Sequence, residues 1–170
     1  MGAPLAYFIT FSTYGARLPG DPRGTMNRRQ NTYATPPPDP SPSRLRAAEH
    51  TTKGQPFLLD GPDRQTAANS IREVCRYRNW LLLALHIRTN HVHAVIDANT
   101  TVSAILHDFK SYATRALSQA DGRTIPRWSR HGSTRYLWTP EQVNAAIDYV
   151  INEQGRPMET HLRSPANRYE

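Results

Sequence analysis

Cysteine is nearly missing from this chain. Cys75 is the only one, so no internal disulfide can form. No signal-peptide pattern appears, and no apolar run is long enough to span a bilayer, so a soluble protein of the bacterial cytosol or nucleoid is expected, without a membrane partner. Internal repeats are absent, as is any Walker-type loop for ATP. Acidic residues are in short supply: 14 Asp and Glu stand against 21 Lys and Arg, which gives a net charge of +7 and a pI near 10.0. Most of that excess is arginine, whose planar fork can engage a phosphate through two hydrogen bonds. A nucleic-acid partner is compatible with this balance, although charge alone does not require one.

The 170 residues suit a single domain that can bury a real core. Leu5 to Thr13 has the aromatic and β-branched content of a first strand. Residues 20–62 carry eight prolines and no hydrophobic periodicity, which predicts a long irregular insertion. Asp63 to Arg78 reads as a helix, with Ala67, Ala68, Ile71, Val74 and Cys75 on its buried face. Thr101 to Ala120 is a second amphipathic helix. Its stripe includes Ile105, Phe109, Ala113 and Leu117, while Lys110 and Arg115 point towards solvent or a polyanion. Arg127 to Trp138 is a basic, aromatic hairpin or fourth strand. Thr139 is a good N-cap, Pro140 suits the first helical position, and a last helix runs to about Gln154 before Gly155. Strand, helix, strand, strand, helix, strand, helix predicts an α+β, ferredoxin-like split βαβ sandwich. Its helices cover one sheet face, and a C-terminal helix is added.

Leu81 to Asp97 organises the chain. Two apolar strands meet at a turn around Thr89-Asn90, and the second opens His91-Val92-His93. Alternation places His91 and His93 on one face, which is half of a metal site. On the last helix, Tyr149 and Glu153 are four residues apart and share a flank, so both could approach the histidines. His-hydrophobe-His alone is a weak signal. Tyr112 is a rival tyrosine, and Gln154 a fallback ligand if the helix is rotated slightly.

Asn90-His91-Val92-His93 on a strand, the Trp138-Thr139-Pro140 helix start and Tyr149 followed four residues on by Glu153 together resemble the HUH single-tyrosine transposases. That family comprises insertion-sequence transposases that act on single-stranded DNA and the REP-associated tyrosine transposases. The resemblance implies that His91 and His93 are metal ligands and that Tyr149 is the nucleophile. Glu153 falls at a ligand position that is commonly Gln or Asn in the family. Mg²⁺ or Mn²⁺ is the implied cofactor, single-stranded or hairpin DNA the implied partner, and a homodimer the implied assembly. Attack by the tyrosine oxygen would leave a 5′-phosphotyrosine and a free 3′-hydroxyl, which conserves the bond energy and needs no ATP. Arg17, Arg23, Lys110, Arg115, Arg127, Arg130 and Arg135 are the expected DNA contacts, interleaved near the hairpin with Trp128, Tyr136 and Trp138. Three other readings stay open: a domesticated relative that processes a host repeat, a non-catalytic nucleic-acid-binding module of the same fold, and a two-histidine phosphodiesterase.

Overall fold

A computed structural model describes residues 2–16, 18, 20–22, 39–52 and 54–163. Its elements follow in chain order: β1 (Ala6–Thr13), α1 (Pro42–Thr51), α2 (Gly61–Arg78), β2 (Leu81–Ile87), β3 (His91–Asp97), α3 (Val102–Asp121), β4 (Trp128–Leu137), α4 (Pro140–Asn152) and β5 (Glu159–Leu162). The strands form one antiparallel sheet in the order β4-β1-β3-β2-β5. The first four strands interleave as the split βαβ arrangement requires, and β5 extends the sheet beyond β2.

Caps set the helix ends. Asp60 and Asp63 form a reciprocal capping box at the start of α2, and Asn79 closes that helix in the left-handed region at φ 57°. Thr101 accepts from the Ala104 N–H at the start of α3, and Gly122 ends it. At α4, Thr139 accepts from the Gln142 N–H at 3.3 Å. The Gln142 side chain in turn accepts from the Trp138 N–H at 2.8 Å. These exchanges satisfy donors that a helix start leaves open.

Two apolar clusters sandwich the sheet. Ile9, Phe11, Leu85, Ile87, Val92 and Ile96 meet α2 and α3 on one face through Ile71, Val74, Ile105, Phe109 and Leu117. On the other face Ala6, Leu83, Ala84, Val95 and Leu137 meet Val143, Ala146 and Val150 of α4. Truncating a ring such as Phe109, buried completely, costs about 3–5 kcal/mol. A bulge between Leu82 and Ala84 puts Leu83 and Ala84 together on the α4 side and rephases β2, so His86 also faces α4.

Three features differ from the sequence reading. α4 covers the second sheet face over β2 and β3, so the helices lie on both faces. The insertion at 20–62 contains α1, a helix with no buried residue, started by Ser41 and Pro42. Phe57 and Leu59, from the same insertion, are core residues: their N–H groups bond the carbonyls of Tyr14 and Thr89. β5 carries only four residues and was not anticipated. Among the described residues no helix is long and apolar enough to cross a membrane.

Candidate functional site

His91 and His93 emerge from β3 on the face covered by α4. Their rings are 4.7 Å apart and nearly perpendicular. The β1–β3 ladder sets His93 opposite Thr10 and His91 opposite Ser12. Nδ1 of His93 lies 2.8 Å from the Thr10 hydroxyl, and Nδ1 of His91 lies 2.6 Å from Oδ1 of Asn90. An amide oxygen only accepts, so Nδ1 of His91 carries a proton and Nε2 is the ring nitrogen left to face a metal. A hydroxyl serves as donor or acceptor, so Thr10 holds the His93 ring in either tautomer. Burial pushes the His93 pKa down to about 3; His91, His86 and Arg88 act in the same direction, and a hydrogen bond to the Gln154 amide oxygen opposes them. The imidazole is therefore neutral near pH 7, the form that ligates a metal.

Tyr149, 40% exposed, stands over these rings from α4. Its ring centroid is 6.0 Å from that of His93 and 5.7 Å from that of Phe8, edge-on to both. Phe8 in turn stacks on His93 at 5.8 Å. Tyr112 lies across the sheet, half-buried beside the α2–α3 cluster with Arg115 over its ring at 4.5 Å. The structure brings Tyr149, and not Tyr112, to the histidines.

Glu153 does not arrive with them. α4 ends at Asn152, and Glu153 is its exposed C-cap: its N–H still bonds the Tyr149 carbonyl, while the residue stays in solvent. Among the described residues no three His, Cys, Asp or Glu side chains converge as a metal site. Gln154 is the side chain that reaches His93, its amide oxygen turned to the ring while its amide nitrogen donates to the Tyr149 carbonyl at 3.3 Å. Two imidazoles and one amide oxygen form a nitrogen and oxygen donor set that fits a divalent cation such as Mn²⁺ or Mg²⁺.

The expected DNA contacts sort differently. Arg17 and Arg23 lie outside the described residues. Arg127 is buried: its guanidinium makes two 2.8 Å bonds to the Asp121 carboxylate, one of 3.0 Å to the Arg123 carbonyl, and lies 4.8 Å from the Phe57 ring centre. Lys110 is turned inward, and its ammonium donates to the carbonyls of Ser129, Arg130 and His131 at 2.9, 3.4 and 3.3 Å. Burial lowers its pKa to about 8. Both side chains hold β4 in place, so their charges are spent within the fold. Arg115 is exposed on α3, behind the sheet, and Arg130 is exposed beside the irregularity where β4 leaves β1. Arg135 pairs with Phe8 and so shares the histidine face. Sequence reasoning missed Arg88, whose charge acts on His86 and His93 and whose Nη1 donates to the Arg156 carbonyl. Its place just before the Thr89-Asn90 turn was the available signal.

An antiparallel sheet with two adjacent histidines beneath a tyrosine-bearing helix has the architecture of a transposase domain. The chain belongs to the IS200-like transposase family, whose model matches residues 50–148 and so includes both histidines and most of α4. Two solved structures share the fold. One is a REP-associated tyrosine transposase bound to a REP hairpin: 14% identity, TM-score 0.50, covering 89% of this chain and 67% of that one. The other is a candidate transposase from Deinococcus radiodurans R1: 13% identity, TM-score 0.50, covering 91% and 93%. Among the curated proteins, no sequence matches.

Proposed function

We propose that this protein is a metal-dependent endonuclease and strand-transferase for single-stranded DNA, with Tyr149 as nucleophile. The observation that carries the reading is the Tyr149 ring, 6.0 Å from the buried, neutral imidazole of His93, with His91 beside it. His91, His93 and Gln154 would hold Mg²⁺ or Mn²⁺, which would polarise a phosphodiester oxygen and offset charge at phosphorus. Glu153, as the exposed C-cap, lies nearest in sequence to this set and is a weaker choice of ligand than Gln154. The Tyr149 oxygen attacks phosphorus in line. The phosphorus–Oη bond forms, the bond to the 3′ oxygen breaks, and the phenolic proton is passed on so that the leaving oxygen becomes a 3′-hydroxyl. The product is a 5′-phosphotyrosine, and reversal of the step joins strands.

Hairpin-forming DNA is the proposed substrate class, in keeping with the REP hairpin bound by the similar transposase. Arg135 and Arg88, both close to the histidine face, would meet its phosphates. The proposal extends to a homodimer, checked by the mass in solution.

Labelled hairpin oligonucleotides incubated with Mn²⁺ or Mg²⁺ and resolved on a denaturing gel test the chemistry. A covalent adduct in the wild type and in Tyr112→Phe, lost in Tyr149→Phe, is expected. An adduct that survives Tyr149→Phe would overturn the nucleophile. Binding without any adduct across a substrate library would favour a non-catalytic module.

A further inference from the structure

His86 is a third histidine on the face that carries His91 and His93, and it is His93's direct neighbour across the β2–β3 ladder. It is fully buried, and both of its ring nitrogens are engaged. Nδ1 lies 3.0 Å from the carbonyl of Val150, and Nε2 lies 3.2 Å from the backbone nitrogen of Met158. A carbonyl only accepts and an amide N–H only donates, so the ring is the neutral Nδ1–H tautomer with no lone pair left for a metal. The three histidines therefore divide into two ligand candidates and one ring that serves the backbone.

What that ring does follows from where α4 stops. The last four carbonyls of a helix have no partner within it. Here the Tyr149 carbonyl accepts from the Glu153 N–H and from the Gln154 amide, and the next carbonyl, Val150, accepts from His86 below. The chain then leaves the helix, turns at Gly155 with φ 72°, and returns so that the Met158 N–H reaches the other side of the same imidazole. Two residues later Thr160 pairs with His86 in β5. One buried ring thus ties β2 to the end of α4 and to the start of β5. Between those two ties hang Gln154 and, one residue before the first, Tyr149.

We infer that His86 is a positioning residue that ends the tyrosine helix and holds Tyr149 and Gln154 over His91 and His93. The inference rests on the proposed role of Tyr149, and its test separates the two. His86→Phe keeps a ring of similar size and deletes both hydrogen bonds, whereas His86→Gln can restore a donor and an acceptor. With metal and hairpin DNA saturating, the rate of adduct formation falls about 10- to 100-fold in His86→Phe, because small displacements of a nucleophile are costly. KM for DNA stays the same, metal affinity measured by calorimetry falls in His86→Phe because Gln154 is displaced with Tyr149, and His86→Gln recovers most of both rate and affinity, because neither DNA nor metal is held by His86 itself while its two bonds fix the attacking group.

A wild-type rate in His86→Phe overturns the inference. So does a loss of metal affinity in both variants of the size expected for a missing ligand. Should His86→Phe not fold, His86→Asn takes its place, being long enough to keep only the Val150 bond; an intermediate rate is expected and a wild-type rate overturns. If the wild type itself forms no adduct, the proposed chemistry fails, and amide hydrogen exchange still decides the positioning role. Protection lost at residues 153–158 in His86→Phe and regained in His86→Gln supports it, and unchanged protection overturns it.

Discussion

The hydroxyl of Thr10 meets Nδ1 of His93 at 2.8 Å across the β1–β3 ladder, so a residue of the first strand orients an imidazole of the third. Partners behind a metal-binding histidine typically contribute 10- to 100-fold in affinity. Thr10→Val keeps the side-chain shape and removes the hydroxyl. It is expected to weaken Mn²⁺ binding about 10-fold by calorimetry, with the melting temperature nearly unchanged. Unchanged affinity would show that Phe8 stacking and the strand alone orient the ring.

Gln154 and Glu153 make opposite predictions about the third ligand. Glu153 caps α4 in solvent, and Gln154 bonds His93. Gln154→Ala should raise the Mn²⁺ dissociation constant about 10-fold or more, while Glu153→Ala should change it by less than about 2-fold. The reverse order would mean that the chain after Asn152 rearranges when the metal binds.

Charge at the surface and charge within the fold can be told apart by salt. Each phosphate contact to a single strand contributes about 0.7 to the slope of log affinity against log salt. Arg135→Ala should reduce that slope by about this amount. Lys110→Met should leave the slope as it is and instead lower stability by about 1.5–3 kcal/mol, the usual range for hydrogen bonds to a charged group. A reduced slope in Lys110→Met would return that lysine to the DNA.

The elements with caps and strong periodicity were legible in the sequence: Thr139 with Pro140 marked α4, and Ile105, Phe109 and Leu117 marked α3. The His91–His93 face was legible because strand alternation is local. What depends on pairing between distant segments was not. α1 buries nothing, so no apolar pattern announces it, and β5 is four residues whose only support is the far edge of β2. α4 ends at Asn152 and not near Gln154, and the bond that takes up its Val150 carbonyl comes from His86 on another strand, which no local pattern announces. Arg127 read as surface because its carboxylate partner, Asp121, sits on the previous helix, and nothing in the local pattern reveals that the two meet beside Phe57.

That last pair has a pH signature. The Arg127 guanidinium, first through its hydrogen bonds, holds the Asp121 carboxyl well below its ordinary value of 3.8, and bonds from Arg123 add to the effect. A carboxyl with a depressed folded pKa contributes stability above its unfolded value, and that contribution is lost as pH falls through the folded value. Asp121→Asn strands a buried guanidinium at neutral pH, so its urea midpoint should lie below that of wild type at pH 6. As pH drops below about 4 the wild type loses the same contribution and the two midpoints should converge. Because removing both charges leaves nothing unpaired, Asp121→Asn combined with Arg127→Met should be more stable at pH 6 than Asp121→Asn alone. A gap between wild type and Asp121→Asn that stays constant from pH 6 to pH 2 would mean that packing around the Asp121 side chain, and not its charge, holds the start of β4.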